Sequence, residues 1–171
     1  RRTVEDMEGL IETLLLLARG EEVERIHEIR CLNDLVPGFV EQLAPMAADR
    51  GLDLSIDEQA QLWVKSPSRV IQIILTNLLR NAINYTQQGS VVVRIRENTI
   101  SVIDTGIGMS PEELQHAFEP FYRGERSRAS SMGHGLGLSI VRRLVHQFDW
   151  PIHVQSNVGK GTEVTIEFFE G

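Results

Sequence analysis

Asn77, Asn81 and Asn84 recur at intervals of four and then three residues within "SRVIQIILTNLLRNAINYT". That spacing puts three amides on one face of a helix. The rest of the stretch is mostly apolar, so the helix should be largely buried, and buried amides need partners. Asparagine is also a poor helix residue. A stripe of three reads as the lining of a polar site; the plainer alternative is three surface amides bonded to water. In "DTGIGMS" a carboxylate, Asp104, ends a strand and precedes Gly106 and Gly108, which let the backbone turn tightly and approach a flat ligand. A buried carboxylate there can accept a hydrogen bond from an exocyclic amine such as that of adenine, although D-x-G-x-G alone is common in ordinary turns. In "GHGLGLSIV" Gly133, Gly135 and Gly137 run into a helix, where unpaired amides and the positive end of the dipole would meet a phosphate; the alternative is a plain linker. The spacing matches neither the dinucleotide G-x-G-x-x-G nor the P-loop.

The elements that must position these groups are legible in outline. The 171 residues make one ordinary domain, with 42% hydrophobic and 24% charged residues. A net charge of −7 and no basic cluster longer than the Arg1-Arg2 pair argue against nucleic acid as a partner. The single cysteine, Cys31, excludes an internal disulfide framework. No apolar run is long enough to span a membrane, since "LIETLLLLA" is short and interrupted by Glu12.

Val4, Met7, Ile11, Leu14 and Ala18 form a stripe suited to an amphipathic or coiled-coil helix that pairs with another chain or with a missing partner helix; the plainer alternative is a helix packed on its own domain. A short edge strand is expected within Arg25–Leu32, followed by a helix capped by Asn33, kinked at Pro45 and ended by Gly51. "LDLSID" and "QLWVK" alternate with period two and read as a hairpin. Ser66-Pro67 reads as a capping hydroxyl and first-position proline for the asparagine helix. Two strands, "SVVVRIRE" and "TISVIDTG", a short helix opened by Pro111, a long helix from about Leu136 to Phe148 and a final hairpin complete the chain.

The order of motifs is more specific than any one of them. "NLLRNAINYT", "DTGIGM", "FEPFYR", "GHGLGL" and "GKGT", in that sequence, resemble the asparagine, glycine and phenylalanine boxes of the ATP-binding domain of sensor histidine kinases, in the superfamily with gyrase, Hsp90 and the mismatch-repair ATPases. The resemblance covers roughly residues 30 to 169. It implies a two-layer α/β sandwich (the Bergerat ATP-binding fold), with a mixed sheet of about five strands and helices on one face, preceded by a partial dimerisation helix. Residues 1–20 would be the end of the second helix of a dimerisation and phosphoacceptor hairpin, and residues 21–171 the ATP-binding catalytic domain.

Carried over residue by residue, the resemblance makes Asn81 the Mg²⁺ ligand, with Asn77 one turn before it. Tyr85 stands beside the adenine and Asp104 accepts from its amine. Gly106, Gly108 and Met109 shape the adenine pocket, with Thr162 nearby. Arg123, after Phe121, matches a basic residue near the phosphates. Residues 124 to 137 would form a lid over the triphosphate, with Gly133, His134, Gly135, Leu136, Gly137 and Leu138 around the phosphates. Two positions depart from the family pattern: Asn84 stands where a basic residue is usual, and Phe148-Asp149-Trp150 replaces a common H-G-G. The second is expected to be a change of packing. Asn77 also replaces the glutamate by which gyrase-like relatives activate water, so little ATP hydrolysis is expected.

"HEIR", at residues 27–30, looks like the start of a phosphoacceptor motif. In the family, however, that histidine lies far upstream, on the hairpin's first helix. His27 falls where the first strand of the nucleotide domain belongs and reads as a decoy. The implied whole is a kinase that binds ATP and Mg²⁺ and phosphorylates a histidine on an upstream domain absent from this chain. It would act as a homodimer, relay to a response regulator, and occupy the cytoplasmic portion of an inner-membrane sensor. A nucleotide-binding pseudokinase, suggested by Asn84, and a serine kinase of the anti-sigma-factor type are the alternatives.

Overall fold

The computed structural model describes residues 29–119 and 137–168. In chain order these form β1 (Ile29–Cys31), α1 (Leu32–Asp49), β2 (Asp53–Glu58), β3 (Trp63–Lys65), α2 (Ser68–Asn84), β4 (Ser90–Ile95), β5 (Thr99–Asp104), α3 (Pro111–His116), α4 (Gly137–Gln147), β6 (Ile152–Asn157) and β7 (Gly161–Glu167). Five strands make an open mixed sheet in the order β2-β4-β5-β7-β6, in which only β2 and β4 run parallel. β1 and β3 form a separate antiparallel pair.

Strand alternation builds one apolar sheet face. Val91, Val93 and Ile95 of β4, Ile100 and Val102 of β5, and Val164 and Ile166 of β7 are buried against the helices. The opposite face carries the apolar pair Val92 and Ile103 but is otherwise mainly polar, linked across strands by Arg94 to Asp57 (2.9 Å) and by Ser101 to Thr165 (2.8 Å). Asp104 continues the inward row of Ile100 and Val102, so strand parity alone delivers a carboxylate to the edge of the core.

α2 is the central helix, packed on the sheet and touching both α1 and α4. Its apolar positions therefore run nearly all round it, from Val70 to Ile83. Leu79 and Ile83 are fully enclosed, each burial contributing about 1.5–3 kcal/mol. The strip carrying Asn77, Asn81 and Asn84 stays half-exposed, as do Ser68, Gln72 and Arg80, while Arg69 is exposed. At its far end α1 stops as expected at Gly51: the Gly51 amide donates to Ala48 O (3.0 Å) and the Leu52 amide to Ala47 O (3.0 Å), a Schellman closure.

Three local expectations are corrected. "LDLSID" and "QLWVK" do not form a hairpin: β2 pairs with β4, and β3 pairs with β1. Period-two alternation identifies a strand but not its partner. The partner is decided here by Asn33, which the sequence suggested as a helix cap. It lies inside α1, and its side chain donates to Glu58 Oε1 (2.9 Å) and Ala60 O (3.0 Å) and accepts from Leu62 N (2.9 Å). Those bonds turn the chain away from the sheet after Glu58. Ser66 is likewise no cap, because its buried hydroxyl donates to Pro67 O (3.0 Å) and Pro67 itself takes the N-cap position.

At the end of α4, Asp149 adopts a left-handed φ of 57°, a conformation that glycine takes more easily. The flanking rings of Phe148 and Trp150 stack at 4.7 Å, and Trp150 meets Phe168 edge-on at 4.8 Å. The aromatic replacement at Phe148 and Trp150 is thus a packing feature of the lower core.

Candidate functional site

The site is built where α2 ends, β5 ends and the β6–β7 turn folds over both. Asp104 Oδ1 accepts two backbone amides, from Gly106 (2.9 Å) and Thr162 (3.2 Å). Oδ2 has no partner among the described residues. Burial pushes the carboxyl above its ordinary value, opposed by the amides of Gly106 and then Thr162. The result is a buried acceptor with one oxygen committed to the fold and one available.

Gly106 and Gly108 are required by close approach. A Cβ on Gly106 would collide with the Tyr85 carbonyl, and one on Gly108, which has a φ of 68°, with the Asn157 carbonyl. The gap left at Gly106 lets Ile107 N donate to Tyr85 O (3.0 Å), stitching the glycine turn to the end of α2. On the other side Gly159 N donates to Ile107 O (2.8 Å), and Met109 N donates to Ser156 Oγ (2.7 Å). Ser156 also meets Thr162 Oγ1 at 2.8 Å. Tyr85, Asp104, Gly106, Gly108, Met109 and Thr162 are thereby brought together.

The asparagine strip borders this floor. Asn77 Nδ2 donates to Ile73 O (2.7 Å) one turn back, leaving its oxygen facing outward near Gly137, where an added Cβ would lie 3.7 Å from Asn77 Oδ1. Asn81 makes no side-chain hydrogen bond among the described residues. Asn84 Oδ1 is buried with no partner among them. Gly137 and Leu138 are the first described residues of α4; the Leu138 side chain belongs to the core. Phe121, Arg123, Gly133, His134, Gly135 and Leu136 lie outside the described residues, as does His27.

The donor set suits a nucleotide with a hard cation. Among the described residues no three His, Cys, Asp or Glu side chains gather into a metal site. An amide oxygen is an acceptable ligand for Mg²⁺ when phosphate and water complete the shell. Asn81, uncommitted to the fold, fits that role, and Asn77 Oδ1 is the neighbouring candidate.

Sequence reasoning missed three supports. Ser156 shares the inward parity of Ile152 and Val154, and a hydroxyl in an apolar row could have flagged it. Thr86, fully buried, returns its hydroxyl to Ala82 O (2.7 Å) and backs Gly106. Arg50, at the end of α1, donates to Asn84 O (3.3 Å) and Thr86 O (3.2 Å) across a separation no local pattern reveals.

Comparison with known proteins agrees with this geometry. The chain is 35% identical over 167 residues to sensor histidine kinase RppB of Synechocystis sp., an alignment covering 92% of this chain and 37% of RppB. It is 33% identical to sensor histidine kinase YvrG of Bacillus subtilis, covering 98% of this chain and 30% of YvrG. The chain thus spans about a third of these curated relatives. Among solved structures, full-length ShkA in complex with AMPPNP superposes with a TM-score of 0.76 at 25% identity, covering 95% of this chain and 36% of that one. The mycobacterial sensor histidine kinase MprB gives 0.69 at 24%, covering 84% of this chain and 97% of that one, a likeness of fold. Residues 67–170 match the family model for histidine kinase-, DNA gyrase B- and HSP90-like ATPases. That stretch holds the asparagine strip, the Asp104 turn and the β6–β7 turn, and by it the chain belongs to this ATPase family.

Proposed function

We propose that the chain is the catalytic ATP-binding part of a sensor histidine kinase. It would hold MgATP while a histidine on an upstream dimerisation domain takes the γ-phosphoryl group. The observation that carries the reading is the division of labour at Asp104, with Oδ1 saturated by two amides and Oδ2 open beside Gly106. Oδ2 would accept from the adenine amine. Asn81 would contribute one oxygen to the cation, and the amides around Gly137 and Leu138 would face the phosphates. Mg²⁺, when bound with the triphosphate, neutralises charge on its oxygens.

In the transfer, an imidazole nitrogen of the acceptor forms a bond to the γ-phosphorus as the bond to the β,γ-bridging oxygen breaks. ADP leaves, and the imidazole proton passes to a base beside the acceptor. This chain's residues bind and orient; Asn77, an amide, cannot take a proton from water at neutral pH, so hydrolysis is slow. Residues 1–20 are the remainder of the dimerisation hairpin in this reading, residues 21–171 are the catalytic unit, and the full-length protein is a homodimer serving a response regulator. Among the described residues no helix is long and apolar enough to cross a membrane. Membrane anchoring of the parent would come from elsewhere in it.

The test is incubation with Mg²⁺ and γ-labelled ATP, alone and with a separately made dimerisation domain that a known active kinase can phosphorylate. Acid-labile label on the added domain only, unchanged by His27→Gln, is the expected result. ATP retained without transfer would instead identify a pseudokinase, and self-labelling lost in His27→Gln would overturn the assignment of His27 as a decoy.

A further inference from the structure

From its geometry we infer that Arg50 is a positioning residue for adenine recognition, through which helix α1 sets the shape of the base pocket. The inference rests on the reading of this site as an adenine-nucleotide site. The last turn of α2 has no basic residue of its own; Tyr85 N, Thr86 Oγ1 and Thr86 N satisfy the carbonyls of Asn81, Ala82 and Ile83, which leaves the last carbonyl, Asn84 O, to a donor from elsewhere. Arg50 supplies it. Its Nη2 reaches both Asn84 O (3.3 Å) and Thr86 O (3.2 Å), the carbonyls on either side of Tyr85. The carbonyl between them, Tyr85 O, receives Ile107 N at 3.0 Å and abuts Gly106 so closely that no Cβ fits. Gly106 in turn donates to Asp104 Oδ1 at 2.9 Å. The path from guanidinium to base-binding carboxylate is therefore a continuous chain of short contacts.

Arg50 is itself fixed. Its backbone sits in the Schellman turn, with its amide donating to Ala47 O (3.1 Å) and Gly51 N to Ala48 O (3.0 Å). A charged donor shared by two carbonyls is stronger than a neutral one and holds both in one geometry. Displacing it frees the Tyr85 peptide, and with it the Ile107 bond that sets the depth of the pocket. The effect falls on the base more than on the phosphates, because the path runs through the backbone carbonyls of Asn84, Tyr85 and Thr86 and through no side chain of Asn77, Asn81 or Asn84.

The experiment compares wild type, Arg50→Gln and Arg50→Lys by calorimetric titration with ATP and with inorganic triphosphate, below the melting temperature of each variant. Amide hydrogen exchange is recorded at Ile107. Arg50→Gln is expected to weaken ATP about tenfold, leave triphosphate within twofold and accelerate exchange at Ile107 beyond the general change. Arg50→Lys, which keeps a cationic donor, should recover most of the affinity. Unchanged ATP affinity, or equal losses for ATP and triphosphate, would overturn the inference, as would exchange that rises uniformly along the chain. If wild type binds no ATP, the proposed function fails instead, and exchange at Ile107 still decides whether Arg50 holds the turn.

Discussion

The two ends of the site are held in opposite ways. At the Asp104 end nearly every polar group is spent on the fold: the carboxylate takes two amides, Ser156 bridges Met109 and Thr162, and Tyr85 O takes Ile107. Along the asparagine strip the groups are under-used. Asn81 has no side-chain bond, and the Asn84 oxygen is buried without a partner, among the described residues. A flat base has a fixed outline, so a rigid backbone mould recognises it at no cost of reorganisation. A triphosphate with a cation carries most of its own coordination shell, so the protein need only leave oxygens uncommitted. The contrast predicts that substitutions crowding the backbone mould at the first end change folding and binding together, while those of uncommitted oxygens, Asp104 Oδ2 included, change binding alone.

The sharpest break of that contrast is Asp104→Asn. Oδ1 can still accept from Gly106 and Thr162, but an NH₂ would replace Oδ2 and face the donating adenine amine. Affinity for ATP should fall by about a hundredfold or more, because two donors are left opposed. The fold should be kept, since the substituted residue carries no buried charge. Calorimetric titration measures the first expectation and thermal melting of the nucleotide-free protein the second. Gly106→Ala comes next, and here both quantities should drop. The new methyl would strike the backbone carbonyl of Tyr85, destabilising the domain by about 1–3 kcal/mol in denaturant titrations. If Gly106→Ala left stability intact, the mould would be softer than its contacts indicate.

The same contrast explains what could be read from the sequence. Asp104 and the asparagine strip were legible because strand parity and helix spacing are local: a carboxylate extends the inward row Ile100–Val102, and amides three and four apart share a face. The five motifs in order carried a family resemblance, and that resemblance implied the five-stranded fold with helices on one face. What failed depends on distant partners. The alternation of β2 and β3 was right, yet their pairing was set by the Asn33 amide reaching Glu58, Ala60 and Leu62. Arg50 lies more than thirty residues from the carbonyls it holds, and no spacing rule connects them. Ser156 was visible in principle, as a hydroxyl among inward apolar residues.

At the other end of the site, Asn81→Ala should leave the melting temperature within a degree or so, since no described bond is lost. It should weaken ATP about tenfold with Mg²⁺ present and far less with the metal chelated. Equal losses in both conditions would mean that Asn81 contacts the nucleotide and not the cation.

The smallest effect is that of pH on Asp104 itself. Its carboxyl is raised above 3.8, mainly by burial, so the folded state binds this proton more tightly than the unfolded chain. The stability contributed by this group is thus full below the unfolded value and is lost as pH rises through the folded one. At neutral pH the ionised carboxylate is a modest burden on the nucleotide-free fold. Binding should show the opposite sense. Oδ1 is already occupied by Gly106 and Thr162, so an added proton goes to Oδ2 and turns the adenine acceptor into a donor. ATP affinity should therefore fall on acidification, beginning above the usual carboxylate range. Titrations of wild type and Asp104→Asn across mildly acid pH separate this from protonation of the nucleotide, which affects both proteins alike. A wild-type profile parallel to that of Asp104→Asn would place the base-recognising group elsewhere, and the rigid end of the site would then be structural scaffolding alone.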